Sequence, residues 1–226
     1  MAADTSFVHL RIHSDFSMVD GLTKVKPICQ RVADMNMPAM ALTDQMNFCG
    51  LVQYYGAAHS QGLKPLIGAD LWVWGDYPEG EIFRLTALAM NNDGYQQIIQ
   101  LISKAYLRGH VQGKPVIDKA WLAQHNDGII LLSGAREGDI GRALLKGHQE
   151  PLQESLAFYK QYFPERFYLE LIRTGRAEEE AYLHSAVQLA AEHDLPVVAT
   201  NEVVFLEEEN FEAHEIRVAI HDGYQL

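Results

Sequence analysis

Apolar residues along this chain come in short runs separated by turns and amphipathic stretches, and that order sets the expected fold class. Runs near 7–12, 39–42, 64–73, 83–89, 128–133, 167–171 and 196–199 predict strands. Several are so continuous in Val, Ile and Leu that burial on both faces is expected. Between them the period changes to three and four. "KVKPICQRVADMNM" sets Pro27 near a helix start and places Ile28, Val32 and Met35 on one side. "NDGYQQIIQLISKAYLRG" follows an Asn/Asp cap with Tyr95, Ile98, Ile99, Ile102 and Tyr106 at helical spacing. "AEEEAYLHSAVQLAAEHD" opens acidic, which suits the positive end of a helix dipole, and turns apolar at Tyr182, Val187, Leu189 and Ala190. Seven alternations of strand and helix predict parallel strands joined by right-handed crossovers, closed as a barrel or open as a doubly wound sheet. In both, function gathers at the C-terminal ends of the strands. The interval 109–127 is the longest irregular stretch, and Asp118 within it reads as the cap of a short helix.

Composition narrows the picture. At 226 residues and 48% hydrophobic, the chain suffices for one large core, and no Gly/Ser/Pro linker interrupts it, so residues 1–226 are expected to be a single domain. No apolar run approaches the roughly 20 residues that span a bilayer, and the start "MAADTSFVHL" lacks a signal-peptide layout, which predicts a cytoplasmic chain with no membrane partner. A formal charge of −12 repels a phosphate backbone from any surface that is not locally basic. Cys29 and Cys49 form no CxxC and read as small apolar side chains. "LWVWGDY", with Trp72 and Trp74, fits either an exposed docking patch or a packed sheet edge.

The polar residues at the strand ends carry the chemistry. They are His13, Ser14 and Asp15, with Asp20 shortly after; Asp44 and Gln45; Asp70; Arg84; Ser133, Ala135 and Arg136; Glu170 and Arg173; Asn201 and Glu202. In "HLRIHSD" a strand end offers His13, half of a His-x-His metal motif, but Arg11 stands at the other half. There is no GxGxxG, Walker loop or GxSxG elbow, and Ser133 has no evident base, so nucleotide-cradling loops and serine hydrolysis are set aside.

Taken in order, "FVHLRIHSDFSMVDGL", "ALTDQMNFCGLVQYY", "KPLIGADLWV", "LTALAMNNDGYQQI", "LLSGAREGDIGRALL", "YLELIRTGR" and "VVATNEVVFLEEENFEAHEIRVAI" resemble the PHP (polymerase and histidinol phosphatase) domains at the N-terminus of bacterial replicative DNA polymerase III alpha subunits, in their proteobacterial form. The resemblance runs over essentially the whole chain. It implies a distorted (β/α)7 TIM-like barrel, the PHP fold, and a chain that is a fragment of a much longer DNA-directed DNA polymerase.

Metal-bearing members of that family hold divalent ions through nine positions. By resemblance, His13, Asp20, Asp70 and Glu202 retain groups able to ligate, whereas Arg11, Gln45, Arg84, Ala135 and Val204 do not. Losing this many ligands dismantles a multinuclear site, and two losses are to arginine, which has no lone pair to donate. A divalent ion about 4 Å from a guanidinium feels roughly 8 kcal/mol of repulsion at an effective dielectric near 20. The resemblance therefore implies a degenerate site with no metal or other cofactor, in which Arg11 and Arg84 pair with Asp20, Asp70 or Glu202. It further implies a structural and docking module for the epsilon proofreading exonuclease subunit, beside the remaining domains of the alpha subunit, with DNA reached only through the full polymerase. The alternative is a residual metal-dependent phosphoesterase or pyrophosphatase on the retained residues.

Overall fold

Short apolar runs do become strands, and amphipathic runs do become helices, over the residues 7–75 and 81–224 that a computed structural model describes. In chain order the elements are α1 (Val25–Asp34), β1 (Ala39–Leu42), α2 (Leu51–Ser60), β2 (Lys64–Trp74), β3 (Ile82–Ala89), α3 (Asn92–Arg108), β4 (His110–Val111), β5 (Lys114–Pro115) and β6 (Ile117–Asp118). They continue as α4 (Lys119–Gln124), β7 (Ile129–Leu132), α5 (Asp139–Lys146), α6 (Gln149–Tyr162), β8 (Phe167–Leu171), α7 (Glu179–His193), β9 (Val197–Ala199) and α8 (Phe211–Asp222). The chain divides into two compact units, Met1–Ala69 with Glu202–Leu226, and Asp70–Asn201. Residues 1–6, part of the N-terminal stretch considered above, and Asp76 and Tyr77 of "LWVWGDY" lie outside the described residues.

In the first unit β1 pairs parallel with the start of β2, Ala39 opposite Lys64 through Leu42 opposite Ile67. The expected strand at 7–12 is realised only as an extended segment held by isolated parallel bridges, His9 to Met40 and Ile12 to Val203. The amide of Thr43 donates to the Ile12 carbonyl at 2.9 Å and that of His13 to the Val203 carbonyl at 2.8 Å. The segment thus has partners on both sides without a continuous ladder. Ile12, Val25, Ile28, Cys29, Val32, Met40, Leu42, Tyr54, Ala58 and Leu63 form its core. Tyr54 satisfies its buried hydroxyl by donating to the Met40 carbonyl at 2.5 Å, as a buried polar group must. Cys29 is fully buried, and burial pushes its thiol up to about 11. Met35, expected on the apolar side of α1, is instead 53% exposed, because the helix ends at Asp34 and Met35 is its C-cap.

In the second unit β2, β3, β7, β8 and β9 are successive neighbours, and β6 pairs parallel with the end of β2. β7–β8 and β8–β9 are parallel, but β3 and β7 run antiparallel, with Thr86 opposite Leu132 and Ala89 opposite Ile129. The expectation of uniformly parallel strands is corrected here. β3 is thus the strand that runs against β7, β8 and β9, which share one direction. Asp118 caps α4 by accepting from the Ala120 amide at 2.8 Å, as the sequence predicts, whereas α3 is capped one residue before the expected Asn92–Asp93 pair, by Asn91, which accepts from the Gly94 amide at 2.9 Å. The buried stripe of α3 is Ile98, Leu101, Ile102 and Ala105, while Tyr106 is exposed; on α7 Tyr182, Ala186, Leu189 and Ala190 are buried and Val187 is exposed. Among the described residues no helix is long and apolar enough to cross a membrane.

Candidate functional site

Each unit holds a cluster of the strand-end residues named above. In the first unit the extended segment carries Arg11 and His13 on alternate positions, both 1% exposed. Arg11 Nη2 lies 3.2 Å from Glu202 Oε1, an ion pair whose side chains are 2% and 10% exposed. His13 Nδ1 faces both oxygens of Asp20, at 2.8 and 2.9 Å. Ser17 Oγ also donates to Asp20 at 2.9 Å, and the His214 ring on α8 reaches the Asp20 carbonyl at 3.0 Å. The loop can fold back in this way because Gly21 passes against Ser14: a Cβ there would stand 1.8 Å from the Ser14 carbonyl oxygen. Gln45 is buried and its backbone N–H donates to Ser17 Oγ at 3.4 Å; Val204 is buried, its backbone carbonyl accepting from the Leu22 N–H.

Asp44 is the other buried acid of this cluster. Its carboxylate accepts from the Ser14 amide at 2.6 Å and from Ser14 Oγ at 3.0 and 2.8 Å. Burial nevertheless pushes its proton affinity up, against the opposing pull of the Ser14 donors and His13.

The second unit holds Asp70, Arg84 and Ala135. Asp70 is fully buried and accepts from Thr86 Oγ1 at 2.5 Å. Arg84 Nη1 lies 3.9 Å from Asp70 Oδ2 and 3.2 Å from Glu137 Oε2. Its guanidinium stacks 4.9 Å from the centre of the Trp72 ring, which also faces the ammonium of Lys114 at 5.2 Å. Ala135 is buried in a small core with Ile172, Tyr182 and Ala186. The turn that carries it needs Gly134, whose φ is +72° and whose Cβ would meet the Arg84 carbonyl at 2.0 Å.

Glu137, Trp72 and Thr86 were not singled out from the sequence as members of this cluster. Glu137 is visible there only as a charge two residues after Ala135, and a one-turn 3₁₀ segment at Ala135–Glu137 is what turns it back toward β3. Elsewhere in the unit, buried Glu170 accepts from Thr200 Oγ1 at 2.5 Å, and Ser133 Oγ accepts from the Glu170 amide at 3.0 Å.

Comparison with known proteins now bears on what these clusters belong to. Residues 9–174 match the family model of the PHP domain. The chain belongs to the PHP family. The PHP chain is 62% identical over 224 residues to DNA polymerase III subunit alpha of Vibrio cholerae and 55% identical to that of Escherichia coli K12; in each case the alignment covers 99% of this chain and 19% of the relative. It thus spans about a fifth of the length of the curated relatives it matches, and it corresponds to their N-terminal region.

Among solved structures, a Bifidobacterium adolescentis protein named as a metal-dependent phosphoesterase superposes with a TM-score of 0.57 at 12% identity, covering 94% of this chain and 96% of the other. An amidohydrolase from Chromobacterium violaceum gives 0.53 at 14% identity, covering 93% and 96%. At those identities the likeness shows the fold, and the α/β PHP fold class expected from the sequence stands.

Proposed function

We propose that this PHP domain is a non-catalytic part of a replicative DNA polymerase alpha subunit, in which a degenerate metal site serves structure and the domain docks the proofreading exonuclease subunit. The observation that supports the reading is the Arg11–Glu202 ion pair, 3.2 Å long and almost wholly buried, at two positions that the family resemblance assigns to metal ligands. A guanidinium at a ligand position offers donors only, so it neutralises a neighbouring carboxylate and cannot share it with a cation.

The remaining donors are engaged in the same way. Asp20 uses both oxygens on His13 and Ser17, an arrangement that orients an imidazole ring and leaves the acid committed. Asp70 takes the Thr86 hydroxyl and stands beside Arg84, which is itself clamped by Glu137 and Trp72. A multinuclear site needs its shell of imidazole and carboxylate filled. The resemblance assigns Gln45, Ala135 and Val204 to further ligand positions, and in this reading none of them fills such a shell.

Polymerisation itself, and the binding of primer and deoxynucleoside triphosphates, belong in this reading to the rest of the full-length subunit. The reading is tested by assaying purified protein against a chromogenic phosphodiester and against pyrophosphate, with Mn2+ and with EDTA. Turnover at the blank rate under all conditions is expected. EDTA-sensitive hydrolysis that co-elutes with the protein and disappears in Asp70→Ala contradicts the reading and favours a residual phosphoesterase.

A further inference from the structure

Helix α8 turns two unlike faces outward and inward. One is committed within its own unit: His214 Nδ1 donates to the Asp20 carbonyl at 3.0 Å, Arg217 Nε donates to the Met18 carbonyl at 3.2 Å, and Ala219 is buried. The other carries Ala213, Ile216 and Ile220, three and four residues apart and so on one side of the helix. Ala213 is exposed, as are Ile216 at 44% and Ile220 at 77%. We propose that this strip is the seat of polypeptide from the same alpha subunit that follows this domain, an amphipathic segment whose apolar anchors are flanked by Lys or Arg. The proposal rests on the reading above that the domain is part of an alpha subunit, and it gives that reading a surface.

Three observations carry it. First, the strip is presented by a helix that is held at both ends and along its inner side. Glu207 and Asn210 close a capping box just before it, the Phe205 ring lies 5.4 Å from the His214 ring, and Gly223, at φ +75°, stops it. Ile216 and Ile220 stand one turn apart and form a contiguous apolar strip, the part of a surface helix that is ordinarily buried. A preformed strip takes up an apolar segment without having to order its own backbone.

Second, the border of the strip is acidic. Glu208, Glu209, Glu212 and Glu215 are all exposed, and they lie just before α8 or within its first half. Carboxylates beside an apolar strip select a segment that brings Lys or Arg together with its apolar anchors, and they repel a phosphate backbone.

Third, the relatives indicate where such a segment comes from. The aligned region is the N-terminal 19% of the Vibrio cholerae subunit, so the greater part of that subunit follows it. α8 is the last element in chain order, and Gly223 turns the backbone directly after it. Polypeptide that continues from this point starts beside the strip, at an effective concentration that a separate partner would have to match.

The test is amide hydrogen exchange over α8, read by mass spectrometry, in this 226-residue chain and in the full-length subunit of the same bacterium. It is repeated with Ile216→Lys plus Ile220→Lys, with Glu212→Lys plus Glu215→Lys, and with Val52→Lys, an exposed position on α2 that serves as the control. Lysine is a good helix former, so these exposed changes suit the helix itself. Each variant is first shown to unfold at the wild-type urea midpoint in the 226-residue chain; where one does not, the two wild-type proteins decide alone.

Exchange at least roughly tenfold slower in the full-length subunit, lost in both lysine pairs and kept in Val52→Lys, is the expected result. Equal exchange in the two wild-type proteins overturns the surface and leaves the non-catalytic reading standing, because the hydrolysis assay tests that reading separately. Protection that either lysine pair leaves in place overturns it as well. Slow exchange in the 226-residue chain that speeds up on dilution assigns the strip to a second copy, and protection that appears only when the exonuclease subunit is added assigns it to that subunit; each overturns the proposal.

Discussion

Replacing Arg11 with Met removes the guanidinium from the interior and keeps most of the side-chain volume. At 3.2 Å the pair with Glu202 has a Coulomb energy of about 5 kcal/mol at an effective dielectric near 20, most of it offset by the cost of drying both ions. What the single substitution exposes is therefore the other half of that balance: Glu202, whose side chain is 10% exposed, keeps its desolvation and loses the Arg11 cation. Breaking a buried pair in this way costs about 3–5 kcal/mol. Removing both charges, as in Arg11→Met with Glu202→Gln, is expected to recover most of that loss, because neither ion is then stranded. The assay is urea denaturation of the wild type, both single variants and the double variant, followed by tryptophan fluorescence and analysed at a common slope. A single-variant loss below about 1 kcal/mol, or a double variant no more stable than Arg11→Met, refutes the reasoning that this pair stands in for lost ligands.

Three further outcomes are expected. Asp139 is buried and accepts from Lys119, Ser155, Tyr159 and the Ile140 amide. Asp139→Ala removes the anion paired with Lys119 and the acceptor of the buried Tyr159 hydroxyl and is expected to cost about 3–5 kcal/mol by urea denaturation, with Asp139→Asn costing less. Glu179 accepts from the Thr174 hydroxyl and from the amides of Thr174, Gly175 and Arg176. Burial raises its pKa, but these donors outweigh burial and hold it below the usual carboxylate value. The folded form therefore binds this proton less readily than the unfolded chain. Its stabilisation is present above the unfolded pKa and is lost as pH falls through the folded one, so Glu179→Gln is destabilising at pH 7 and converges on the wild type at the acid end of the unfolding curve. Gly134→Ala forces a left-handed residue and a contact with the Arg84 carbonyl, and a drop of at least about 2 kcal/mol in chemical denaturation is expected.

How much of this was legible in the sequence depended on what sets each feature. Local signals were readable: Asp118 was marked as a cap, and the cap of α3 was placed within one residue of Asn91, because a short polar side chain before an amphipathic run satisfies the first free amides. Strands 39–42 and 167–171 were bounded to the residue, since apolar runs with turns at either end have little freedom of extent. Two features set by pairing were not readable. The antiparallel placement of β3 beside β7 depends on which neighbour β3 chooses, and hydrophobic patterning carries no record of strand direction. The segment 9–13 has a strand's alternation but only isolated bridges, because its neighbours meet it at single points.

The candidate site shows the same division. The pairing of Arg11 with Glu202 was among the pairings expected, since a buried arginine needs a nearby acid. Arg84, however, lies closer to Glu137 than to Asp70, and its ring partner Trp72 comes from the adjacent strand. Those partners depend on a 3₁₀ turn and on strand register, neither of which spacing along the chain reveals.

The claim on which the account rests is that guanidinium groups occupy ligand positions and keep cations out. Its most direct measurement is elemental analysis of protein incubated with excess Mn2+ and Zn2+ and then gel-filtered. Fewer than roughly one ion in ten chains is the result the account predicts, and two or three ions retained per chain, lost together on His13→Ala, contradict it.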